Sequence, residues 1–150
     1  MKIQTLYKWI ADSKSDFTNH FKNNDTLFKQ AEDYWEKLDG LSNIILIIMI
    51  VLGIVMAYSY YKPYNNKPGR HYHPKHWVYF LMGTFILSLL FTFVFEYISA
   101  PPKLDGTKFL LLKIALGNAI YASGLYVFVS VLWCNCFPTN AYRLFKFIKK

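Results

Sequence analysis

The sequence predicts an all-α integral membrane protein: three transmembrane helices preceded by an N-terminal amphipathic helical region. Three observations carry this reading. First, the segments 40–61, 77–95 and 114–142 contain no charged residue. Each reaches or nearly reaches the 20 or so apolar residues that cross roughly 30 Å of hydrocarbon. Second, 54% of the 150 residues are hydrophobic and 19% aromatic, while 17% are charged against the usual quarter of a soluble domain. Third, an apolar seam of helical period precedes the first span.

That seam lies in the amphipathic region, residues 1–40. Ile3, Leu6, Tyr7 and Ile10 recur at helical spacing, and Ser13 with Asp16 forms a capping box that opens a second helical piece. From there Phe17, Phe21, Asn24, Phe28, Ala31, Trp35 and Leu38 step alternately by four and three. Lys22, Lys29, Glu32, Glu36 and Lys37 occupy the other face. A period of 3.5 sets these aromatics along one line of the helix, and that line must be covered by lipid or by another helix.

The membrane domain, 41–133, follows. Asp39-Gly40 reads as a hinge before the first span, about 41–61, where Gly53 and Ala57 permit close helix approach. A loop rich in Pro, Asn, Lys and His occupies 62–76. The second span, about 77–97, has Glu96 near its end, within reach of water or of Lys103. After the turn at 100–106 the third span covers about 109–133, with Lys113 placed to extend toward the interface. On it Ala115, Asn118, Ala119, Ala122, Tyr126 and Trp133 share one face, a small-residue stripe with one amide suited to helix packing. No span shows a polar face suited to lining a pore. Phe137-Pro138 ends the last span, and 134–150 is a basic aromatic tail. The first span starts too far from residue 1 for a cleaved signal peptide, so all three spans are expected in the mature protein.

Charge assigns the sides. With three spans, the 62–76 loop and the tail share one side, which carries Lys62, Lys67, Arg70, Lys75, Arg143, Lys146, Lys149 and Lys150 and no acid. Lys29, Lys37, Lys103, Lys108 and Lys113 oppose them. The positive-inside rule then favours an external N-terminus and a cytoplasmic C-terminus, in a bacterial inner membrane. The formal charge of +8 accordingly points to anionic lipids as partners, not to nucleic acid.

Few residues offer chemistry. Lys67, Arg70 and Lys75 are placed to contact phospholipid headgroups or other anions. His71, His73 and His76, with Cys134 and Cys136 on the same side, are the candidate ligands of a metal site, but their spacing matches no established zinc pattern. The solvated basic loop is the preferred reading, and no metal or cofactor is expected. The two cysteines, one residue apart, would form only a strained disulfide. Nucleophile motifs, phosphate loops and dinucleotide fingerprints are missing, so the chain reads as a non-enzyme.

The layout of a surface helix followed by three spans resembles bacterial diacylglycerol kinase, whose active site uses glutamates and an asparagine in a Glu-Asn-Ser-Ala-type stretch. Here Gly117-Asn118-Ala119-Ile120 has no preceding glutamate, so the resemblance implies layout alone. The function expected is helix–helix association, as an accessory subunit of a membrane complex or an immunity-type protein against a pore-forming toxin or phage. Its partner would be another membrane protein or a second copy. Phe17, Phe21, Phe28, Trp35 and Leu38 of the seam and Ala115, Asn118, Ala119 and Ala122 of the third span are the expected partner-binding residues. The alternatives are a homo-oligomeric pore and a metal- or headgroup-binding protein acting through the His loop.

Overall fold

A computed structural model of the chain describes residues 2–65, 74–139, 141 and 144–145. Every element among them is helical: α1 Ile3–Tyr7, α2 Lys14–Asn19, α3 Asp25–Ser59, α4 Pro74–Ser99 and α5 Thr107–Cys136. A wider-wound stretch, Tyr60–Tyr64, extends α3 through Pro63. Three helices, 25–64, 74–99 and 107–136, are long and apolar enough to cross a membrane. The chain divides into two compact units, one of residues 1–48 and 89–118, the other of 49–88 and 119–150. Each long helix therefore contributes one part to each unit.

Local signals explain most boundaries. Ser13 caps α2, accepting from the Asp16 N–H at 3.2 Å, and its hydroxyl donates to the Asp16 carboxylate at 2.6 Å. Asn24 opens α3, its side-chain oxygen accepting from the N–H groups of Thr26 and Leu27 at 3.1 and 3.3 Å. That cap splits the expected second amphipathic piece, so Phe17 lies on α2 while Phe28, Trp35 and Leu38 lie on α3.

The hinge expected at Asp39-Gly40 is not there: α3 runs through it without a break. The reason lies in the seam. Ala31, Trp35, Leu38, Ser42, Ile45, Gly53, Ala57 and Tyr60 are all buried, so the line of buried positions continues from the amphipathic segment into the apolar one. A mid-helix glycine costs about 1 kcal/mol relative to alanine, less than burying those side chains returns.

On α4 the distribution of side chains is inverted relative to a soluble helix. Its buried positions between the ends are Thr84, Ser88, Thr92 and Glu96, at four-residue intervals. Ile86, Leu90, Phe91 and Val94 face outward. Outward aliphatics and inward hydroxyls are compatible with an apolar surrounding.

Candidate functional site

The most polar interior of the molecule lies in the unit formed by 1–48 and 89–118. Asn118, near the middle of α5, is fully buried. It donates through Nδ2 to Thr92 Oγ1 at 2.7 Å and to the Ile45 carbonyl at 3.3 Å, and accepts at Oδ1 from the Tyr7 hydroxyl at 3.0 Å. One amide thus joins α1, α3, α4 and α5. Neighbouring Gly117 makes room for this meeting, because a Cβ there would lie 2.7 Å from Tyr7 Cδ1.

The same unit holds the N-terminal segment by several further bonds. The Ile3 N–H donates to Asp39 Oδ1 at 2.8 Å. Lys113 Nζ reaches both Asp12 carboxylate oxygens, at 2.8 and 2.9 Å, and lies 4.7 Å from the centre of the Phe109 ring. Lys113, expected to extend toward the interface, is thus paired with Asp12 in a partly exposed contact. Tyr34 donates to the Ala100 carbonyl at 3.3 Å, which places the amphipathic part of α3 beside the turn after α4.

Glu96 sits one turn beyond Thr92. It is fully buried, and neither carboxyl oxygen has a hydrogen-bond partner among the described residues. It was expected within reach of water or of Lys103, but the side chain is enclosed and forms no bond to Lys103. A cavity of about 340 Å³ opens nearby, lined by Gln30, Asp33, Tyr34, Lys37, Ala100 and Lys103 among others. Tyr34 is close enough to feel the Glu96 charge, and the Ala100 N–H donates to the Glu96 backbone carbonyl at 2.7 Å. Glu96 itself does not line the cavity.

The other unit is aromatic. Tyr60, Tyr61, Tyr64, Trp77, Phe80, Tyr126, Trp133 and Phe145 pack with Ala57, Cys134 and Ala141. Tyr61 stacks on Trp133 with centroids 5.8 Å apart, and Trp77 meets the edge of Phe145 at 5.5 Å. Two polar tips bond locally: Trp77 Nε1 donates to Ser130 Oγ at 3.1 Å, and Tyr126 donates to the Trp77 carbonyl at 3.2 Å. Gly53 belongs here too, where a Cβ would lie 3.0 Å from the Ala122 carbonyl oxygen.

The residues singled out from sequence differ in where they lie. Phe17, Trp35, Leu38, Ala115, Asn118, Ala119 and Ala122 are buried within the chain itself. Phe21 and Phe28 are half-buried. Phe17 packs edge-on to Phe21 at 5.7 Å and tilted against Trp35 at 6.1 Å, so much of the seam is covered by the protein's own helices. Lys67, Arg70, His71 and His73 lie outside the described residues. Lys75 is exposed, and His76 packs against Tyr64 at 5.6 Å. Cys134 is buried with its sulfur 3.4 Å from the Tyr61 hydroxyl, whereas Cys136 is exposed; both are free thiols. Among the described residues no three His, Cys, Asp or Glu side chains are grouped to hold a metal ion.

The buried polar line of α4, Thr84, Ser88, Thr92 and Glu96, was not singled out from the sequence. Its signal was present as hydroxyl residues and one acid every fourth position in an otherwise apolar run, which places them along one helix side. The line is narrow and largely closed by neighbours, unlike the wall of a pore. Comparison with protein families, curated proteins and solved structures finds no match to this chain.

Proposed function

We propose that the chain is an integral protein of a bacterial inner membrane that works without catalysis, by helix–helix association with other membrane proteins. It would serve as an accessory subunit of a larger membrane complex or as an immunity-type protein. The observation that carries this reading is the disposition of polarity. The central polar groups, Tyr7, Thr92 and Asn118, are engaged with one another and buried, leaving no open polar centre there for a substrate. The three long helices meanwhile present Ile, Leu, Val and Phe outward. Surface of that kind suits lipid and the helices of a partner.

Within the seam, Phe21 and Phe28 are the members left half-buried, and exposed Leu27 adjoins Phe28 in sequence. These are the docking positions in this reading, since replacing Phe17, Trp35 or Leu38 would strike the protein's own core. The positive-inside bias orients the N-terminus outside, with Lys67, Arg70 and Lys75 against anionic headgroups on the cytoplasmic side. The test is gentle detergent extraction from the native host followed by mass spectrometry of what stays bound. A reproducible set of membrane proteins is expected, lost from the Phe21→Asp/Phe28→Asp double variant while the variant itself still inserts. Recovery of the chain alone, or partners retained unchanged by the double variant, would count against this docking surface.

A further inference from the structure

We propose that Glu96 is a proton-binding site, loaded from the cavity at the turn end of α4. The proposal goes beyond partner association and is independent of it. A carboxylate has two acceptor oxygens with room for several donors. At Glu96 both are covered, and no donor reaches either among the described residues. The two ion pairs of the described chain, Lys14–Glu36 and Lys113–Asp12, leave it out. A buried charge with no donor beside it is strongly unfavourable, and the usual resolution is that the group neutralises or a cation sits against it. The neighbouring cavity does not extend to the carboxyl. A cation held in that cavity would not touch the carboxyl, whereas a proton can be relayed to it.

The surroundings provide a route. Tyr34 lines the cavity, feels the Glu96 charge and donates to the Ala100 carbonyl by a long 3.3 Å bond. Once it turns from the Ala100 carbonyl toward Glu96, its hydroxyl can pass its proton to a carboxyl oxygen and take another from hydronium in the cavity, which leaves as water. One O–H bond forms at Glu96, one is replaced at Tyr34, and the site goes from −1 to neutral. The titratable groups that bear on this step are Tyr34, Asp33 and Lys37 of α3 and Lys103 of the turn, all lining the cavity. On α4 itself, the hydroxyl residue Thr92 lies one helical turn before Glu96. Thr92 in turn carries the Asn118 bond, and through it Tyr7 of α1. An intramembrane acid placed in this way is a functional group by default.

The experiment is infrared difference spectroscopy of the full chain in liposomes as pH is raised. The carbonyl stretch of a protonated carboxyl is expected at neutral pH, shifted in D2O, lost at high pH and missing from Glu96→Gln. Tyr34→Phe should keep the band and slow its exchange with D2O; unchanged exchange would remove Tyr34 from the route. Should Glu96→Gln fail to fold, dicyclohexylcarbodiimide, which reacts with protonated carboxyls in apolar surroundings, is applied to the unaltered protein and the adduct mapped by peptide mass spectrometry. An adduct on Glu96 that declines as pH rises supports the site. No protonated carboxyl at neutral pH, or one that neither exchanges nor titrates, would overturn the proposal, the second outcome marking a sealed structural acid.

Discussion

The two compact units are built from the same three long helices, yet they are held together by different means. In the unit of 1–48 and 89–118, hydrogen bonds converge on one amide, Asn118, and an N-terminal segment closes over it. In the unit of 49–88 and 119–150, cohesion comes from ring packing around Tyr60, Tyr61, Trp77 and Tyr126, with scattered hydrogen bonds, such as those of Trp77, Tyr126 and Asn135, that converge on no single group. The difference teaches how apolar helices find a unique arrangement. In lipid the hydrophobic effect does not favour helix contact over lipid contact, so specificity must come from shape and from polar bonds. One unit relies on a few directional bonds, each irreplaceable. The other spreads its cohesion over many ring contacts, each worth about 0.5–1.5 kcal/mol beyond its buried area.

This contrast can be broken most severely at Asn118. Asn118→Leu removes the acceptor of the Tyr7 hydroxyl and the donor to Thr92 in one step. The expected loss is about 2–4 kcal/mol, since several buried bonds go together and their partners stay behind. It should appear as a lowered unfolding midpoint in mild detergent, followed by circular dichroism. A second blow tests the covering segment alone. Gly117→Val pushes a side chain into the Tyr7 ring, where even a Cβ would lie at 2.7 Å. A cost of about 1–3 kcal/mol is expected from overpacking, mostly as unseating of α1. Limited proteolysis should then cut within the first twelve residues faster, while the ring-packed unit keeps its protection.

The gentlest change sharpens the comparison from the other side. Trp77→Phe deletes the 3.1 Å bond to Ser130 Oγ but keeps an aromatic ring in the cluster. About 0.5–1.5 kcal/mol is expected, smaller than at Asn118 because the remaining rings still pack. Equal losses at Trp77 and Asn118, in the same unfolding measurement, would mean that both units depend on single polar bonds and that the distinction between them fails.

Much of this was legible in the sequence. The uncharged runs marked the three long helices because hydropathy depends on composition alone, and the boundaries fell within a few residues except where α3 began early. The Ser13 cap and the shared face of Ala115, Asn118, Ala119 and Ala122 also followed from local spacing. Three features did not. Gly40 looked like a hinge, since a glycine beside an acid usually ends a helix, but Asp39 is used to hold the Ile3 N–H and the seam carries the helix onward. Lys113 looked like a snorkelling residue, yet its partner Asp12 is distant in sequence. Glu96 looked solvated because it stood near a helix end, and only the packing around it shows that it is enclosed.

What the sequence by itself determined, then, is the number of long apolar helices, the packing face of the third and the charge asymmetry between the loops. These depend on side-chain chemistry and on helical period, which are properties of single segments. Only the tertiary structure decided which polar groups meet: that Tyr7 reaches Asn118, that Lys113 is paired, and that Glu96 is left with no donor. Such meetings join residues up to 111 positions apart, and no local pattern encodes them. They depend on how side chains from several segments compete for the same buried space.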